Sequence, residues 1–179
     1  MRNVIIFIIS LVLFVSCQSV DTEKTVTIEG KYSVSLPSFL TKVNNLVDGA
    51  SLQYQHALKE FYVIIIDETK EEVYNAISEN GLTNRYTNDL NGYASLILDN
   101  IELSANVYDK SEILDTTIND MPAKVINLNA KISGVDIYYS IALIESSKRY
   151  YQVMTWTLTK YEYQYGDKMK NILYSLKEL

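Results

Sequence analysis

One cysteine, one histidine, one tryptophan, two prolines and six glycines are all that this 179-residue chain holds of those residue types. A single cysteine cannot close an internal disulfide, and zinc, copper and iron sites normally draw on several His or Cys ligands. Scarce proline and glycine exclude collagen-like and proline-rich low-complexity classes. Gly30, Gly49, Gly81, Gly92, Gly134 and Gly166 all stand alone, so no glycine-rich loop cradles a phosphate, and no cofactor motif is present. Basic residues are outnumbered 16 to 22, giving a net charge of −6. Nucleic-acid binding requires basic patches, and that acidic balance excludes it as a partner class.

What the chain does have begins at its N-terminus, MRNVIIFIISLVLFVSC. Arg2 precedes an apolar run from Val4 to Val15, and the small Ser16 follows, which is the three-part layout of an export signal. The run is well short of the roughly 20 residues that span a bilayer. Phe14-Val15-Ser16-Cys17 resembles the lipobox of bacterial lipoproteins, in which the cysteine sulfur receives a diacylglyceryl group and cleavage falls just before it. The common pattern has Leu where Phe14 stands; relaxed versions of this kind are similar to those of Bacteroidetes, as is the Asn-, Ile-, Lys- and Tyr-rich composition.

The resemblance implies a signal peptide over 1–16, a lipidated tether over 17–25 and one domain over 26–179. Cys17 is then the lipidation site, the membrane is a partner through its lipid, and the lone thiol is consumed, which removes thiol catalysis. Two or three acyl chains, each methylene contributing about 0.8 kcal/mol, hold a protein on a membrane far better than one. The implied location is the cell envelope, at the inner or outer membrane, with the domain in the periplasm or at the cell surface.

Within the domain, Thr25–Ile28 and Tyr32–Ser35 flank Glu29-Gly30-Lys31 as two strands about a turn. The alternating stretch 50–57 and the β-branched run 61–67 form a hairpin around Lys59-Glu60. Helical spacing then appears over 68–80, with Gly81 as its stop, and over 88–106. The remainder predicts strands over 111–118, 123–131, 135–145 and 149–158, and a helix over 160–177. That helix turns Tyr165, Met169, Ile172, Leu173 and Leu176 inward. Strand blocks with segregated helices predict an α+β fold built on an antiparallel sheet.

The stretches Gly30-Lys-Tyr-Ser-Val-Ser-Leu-Pro37, Leu52-Gln-Tyr54 and Phe61-Tyr-Val-Ile-Ile65 resemble the opening of PsbP-like domains. Met121-Pro-Ala123, the hairpin Ile137–Glu145 with Tyr150–Thr157, and the terminal Asn171–Lys177 helix resemble their close. The resemblance spans the whole mature chain, joins it to DcrB-type lipoproteins, and implies a three-layer α/β/α sandwich without enzymatic activity in most bacterial members. Its motifs are framework hydrophobics, so it carries no functional residue across.

Candidate chemistry is sparse. His56 has no nucleophile turn to serve and reads as structural or surface. Asp67, Glu68, Glu71 and Glu72 read as complements to a helix dipole rather than a calcium or acid–base site. Asn88-Asp89-Leu90-Asn91-Gly92 fails as a calcium loop because Leu98 occupies its twelfth position. Asp115-Thr116-Thr117 resembles a Bacteroidetes O-glycosylation motif. The fifteen tyrosines are the compositional excess, suited either to a half-buried pleated surface or to a ligand surface.

A two-residue turn at Ser147-Lys148 sets Ile141 opposite Met154, Tyr139 opposite Trp156 and Ile137 opposite Leu158, and this face is expected to be the main core. The other face carries Tyr138 with Thr157, Ser140 with Thr155, and Ile144 with Tyr151. There Tyr138, Tyr151, Thr155 and Thr157 are the candidate binding residues, unless the terminal helix covers them. The function this predicts is a non-catalytic envelope binding or accessory protein with a protein partner or ligand. Its alternatives are a carboxylate-dependent glycan hydrolase, marked by paired carboxylates in a cleft, and an immunity or chaperone protein shielding an apolar segment.

Overall fold

The computed structural model describes residues 22–179; Cys17 and the signal segment lie outside them. Eleven strands and three α-helices follow one another as β1 (Glu23–Ile28), β2 (Tyr32–Pro37), β3 (Thr41–Lys42), β4 (Leu52–His56), β5 (Phe61–Thr69), α1 (Lys70–Glu79), α2 (Leu90–Ser104), β6 (Asn106–Lys110), β7 (Leu114–Ile118), β8 (Met121–Ile132), β9 (Val135–Glu145), β10 (Arg149–Leu158), α3 (Glu162–Ser175) and β11 (Lys177–Glu178). Every strand pair is antiparallel. The main sheet runs β3-β4-β5-β10-β9-β8, with β6 and β7 placed end to end along the outer side of β8. A small sheet, β1-β2-β11, stands apart from it.

The expected α+β architecture holds, with α1 and α2 on one face of the main sheet and α3 with the small sheet on the other. Helix α1 starts where Thr69 and Glu72 form a capping box, two residues later than the periodicity suggested. Asp89 caps α2 by accepting from the Gly92 N–H, so the failed calcium loop is a helix start. Helix α2 stops at Ser104, two residues before the helical pattern ends, and Asn106–Lys110, of which that pattern took only Asn106, pairs with β8 as a strand. β1 opens at Glu23, inside the stretch expected to be tether.

The β9–β10 register is the one that the Ser147-Lys148 turn implies: Ile141 opposes Met154, Tyr139 opposes Trp156 and Tyr138 opposes Thr157. The assignment of faces is reversed. The face bearing Ile144, Ala142, Tyr151 and Val153 joins β2, β4, β5 and α3 in the larger core. The face expected to be the main core is fully buried at Ile141 and Leu143 under α1 and α2, but only half-buried at Tyr139, Met154 and Trp156. Helices α1 and α2 cover only part of that face, whereas α3 and a second sheet together cover the other.

Candidate functional site

The inner stripe of α3, Tyr165, Met169, Ile172 and Leu173, is buried as its apolar spacing requires. The stripe flanking it is largely polar and borders a groove. Glu162, Gly166, Lys170 and Tyr174 recur every fourth residue, with Tyr163 and Asp167 beside them, so one side of the helix forms one wall. Val125 and Asn127 of β8, Tyr138 and Ser140 of β9, and Leu114 of β7 form the floor, and Ser111 and Glu112 close the side. The cavity is about 450 Å³ and open to solvent, within the range of ligand clefts.

Both ends of the groove have identifiable causes. Asn119 and Asp120 take positive φ (47° and 67°) in the β7–β8 turn, as a two-residue hairpin loop requires. The Asn119 amide donates to the carbonyls of Tyr174 and Leu176 at 3.2 and 2.7 Å, pinning the end of α3 to that turn. At the other end Glu162 lies beside Tyr138, whose phenol is pushed up by burial first and by the Glu162 charge second. The floor is fixed from below: Ser140 donates to the Asn127 side chain at 2.7 Å, and Thr155 donates to the Ser140 carbonyl at 3.0 Å.

Of the four candidate binding residues, only Tyr138 reaches the groove. Tyr151 is wholly buried against Tyr32, ring centroids 5.6 Å apart, and donates to Glu178 at 2.8 Å, strapping β11 down. Burial pushes its phenol up. Thr155 and Thr157 are buried beneath α3; Thr157 Oγ1 is the one buried side-chain oxygen without a hydrogen-bond partner among the described residues. The terminal helix covers this face, which removes Tyr151, Thr155 and Thr157 from any exposed surface. The groove residues of α3 were missed, because a polar helix face without a binding signature reads as a solvated one.

The remaining candidates are placed by local structure. His56 Nδ1 accepts from the Lys59 N–H at 3.2 Å and caps a single 3₁₀ turn. Asp67, nearly inaccessible, accepts from both Lys31 and Arg149 at 2.8 Å and ties the small sheet to the main one. Glu72 serves the capping box, which holds its carboxyl below the usual range. Asp115, Thr116 and Thr117 lie in β7, with Asp115 paired to Lys124. No group of three His, Cys, Asp or Glu side chains suited to a metal occurs among the described residues, and none of their helices is long and apolar enough to cross a membrane.

No protein-family model and no curated protein matches the sequence. Solved structures do. The solution structure of the cyanobacterial PsbP, CyanoP, from Synechocystis sp. PCC 6803 aligns over 92% of this chain and 98% of its own, with a TM-score of 0.55 at 8% identity. The fold is PsbP-like. LpqN, described as involved in cell envelope biogenesis of Mycobacterium tuberculosis, aligns over 88% of this chain and 90% of its own, with a TM-score of 0.56 at 8% identity. At 8% identity the likeness is one of fold and carries no residue's role across.

Proposed function

We propose that this PsbP-like chain is a lipid-anchored, non-catalytic accessory protein of the cell envelope that holds a partner in the groove between α3 and the β7–β8–β9 side of the sheet. The observation that carries the reading is the groove itself: a solvent-open cleft with a fixed floor and a polar wall, beside an otherwise sealed core. The N-terminal segment supports the envelope address, with Cys17 as the lipid attachment point. The finer assignment to DcrB-type lipoproteins rests on the PsbP-like stretches of the domain, and that to Bacteroidetes on the relaxed lipobox and composition. LpqN's involvement in envelope biogenesis agrees with that address.

A photo-crosslinking residue in place of Tyr163, which stands fully exposed on the groove rim, tests the reading in cells. The same substitution at Tyr74 of α1, on the opposite side of the sheet, is the comparison. A discrete adduct at 163, absent at 74 and lost in Gly166→Leu, is expected; adducts at 74 alone would contradict it. The anchor is tested by Cys17→Ser, which should abolish acyl labelling and release the protein from membranes.

One observation favours a glycan hydrolase as the second reading: Glu112, Glu162 and Asp167 line the same cleft. All three are exposed, and none has the apolar enclosure that a general acid uses. Release of reducing ends from peptidoglycan by the full chain, abolished in Glu162→Gln, would establish hydrolysis over binding.

A further inference from the structure

We infer that the groove takes an extended, lysine- or arginine-bearing polypeptide segment laid along the free edge of β7. This rests on the reading of the groove as the binding site and adds the chemistry of its occupant.

Shape comes first. The groove is continuous with a shallower hollow of about 220 Å³ that shares Ser111, Asn127, Tyr138 and Glu162 and runs on to Asp109. The resulting channel is long and open, which suits a chain better than a compact molecule. Charge comes next. Glu112, Glu162 and Asp167 enter none of the seven ion pairs among the described residues. The single lysine of the main groove, Lys170, lies over the Tyr174 ring at 5.8 Å. The wall therefore presents uncompensated negative charge, on a chain that is itself acidic. Exposed Tyr163 adds an aromatic face on which a cation can rest.

The sheet edge is suited to polypeptide alone. Among the described residues β7 pairs with β8 alone. Ile118 and Met121 close the two-residue turn as a hydrogen-bonded pair. Antiparallel alternation then bonds Thr116 and Leu114 inward and turns the N–H and C=O groups of Asp115 and Thr117 outward. An exposed strand edge of this kind is a template for strand addition, in which main-chain bonds supply affinity and alternate side chains enter pockets. Ile113 and Leu114, both exposed, offer apolar contact at the same margin. A neutral glycan would use the tyrosines but neither the open main-chain groups nor the excess charge.

The test uses the full chain in detergent micelles and a fluorescent ten-residue peptide of alternating Lys and Thr. An alternating Glu–Thr peptide and chitohexaose are the comparisons. The Lys–Thr peptide should bind and the Glu–Thr peptide should not. Affinity should fall at least about tenfold as salt rises, since exposed charges are screened. A similar loss, at least about tenfold, is expected in the combined variant Glu112→Gln, Glu162→Gln, Asp167→Asn. Thr117→Pro, which removes an outward N–H but no bond of the β7–β8 ladder, should also lose the peptide, with an unchanged circular dichroism spectrum as the check on folding. Equal binding of the two peptides, or full affinity in the combined variant or in Thr117→Pro, would overturn the inference. Chitohexaose binding that is lost in Gly166→Leu would overturn it while leaving the groove as the site. If neither probe binds and Tyr163 yields no adduct, both readings fall.

Discussion

A methyl group added at Gly166 meets nothing within 4 Å, whereas one at Gly92 would collide with the Thr87 backbone. Both glycines sit inside helices, α3 and α2, where glycine usually costs about 0.5–1 kcal/mol relative to alanine. Gly166→Ala should therefore stabilise by up to about 1 kcal/mol. Gly92→Ala should destabilise by about 2 kcal/mol, because the loop that lets Asp89 cap α2 must move. Opposite shifts in thermal midpoint are the expected result; a loss in Gly166→Ala would show that the groove is tighter than described. At this scale the sequence was only partly legible. The β-branched run placed Asp67 in a strand, as observed, whereas Glu68 was read as the first residue of a helix that starts only at Lys70, after the Thr69–Glu72 capping box. Asp67's two cations come from residues 36 positions before it and 82 after it, a meeting that no local pattern encodes.

Among the elements, β9, β10 and α3 decide what is accessible. Alternation and the Ser147-Lys148 turn fixed which residues share a face, and the observed pairing agrees at every position compared. Which face would be covered was not legible, because it depends on how far each helix reaches and on a small sheet assembled from both chain ends. β6 was not legible because Asn106–Lys110 is short, largely polar and almost wholly exposed, so it shows no apolar run of its own. The groove was hidden for a related reason: its wall is the polar stripe of an amphipathic helix, which composition cannot tell from a solvated one. Tyr151 and Tyr138 now separate cleanly. Tyr151→Ala empties a fully buried site and should cost about 3–5 kcal/mol, seen as a lowered denaturation midpoint. Tyr138→Ala, at the groove floor, should cost less and should abolish the Tyr163 adduct. Equal destabilisation with adducts intact in both variants would make Tyr138 a core residue only.

For the whole molecule, tyrosine burial links folding to pH. Tyr62, Tyr139 and Tyr150 are pushed from their ordinary 10.0 up to about 12, chiefly by burial, and Tyr32, Tyr93 and Tyr151 are raised as well. The fold thus favours the neutral phenol. The stabilisation it gives is fully present below pH 10 and is lost as pH rises through about 12. Denaturation midpoints should hold steady up to pH 10 and then fall, with phenolate absorbance of the buried group appearing together with unfolding. Titration of all fifteen tyrosines near 10 in the folded state would contradict the packing described.

The claim that the α3–sheet groove is where this protein meets its partner is tested most directly by hydrogen exchange. Amide exchange of the full chain in its native membranes is compared with that of the same protein after extraction and purification, peptide by peptide. The account predicts slower exchange in membranes over residues 110–118 and along the exposed side of 162–174, with the α1 and α2 segments unchanged. Protection confined to 70–104, or exchange identical in the two states throughout 110–118 and 162–174, would contradict it.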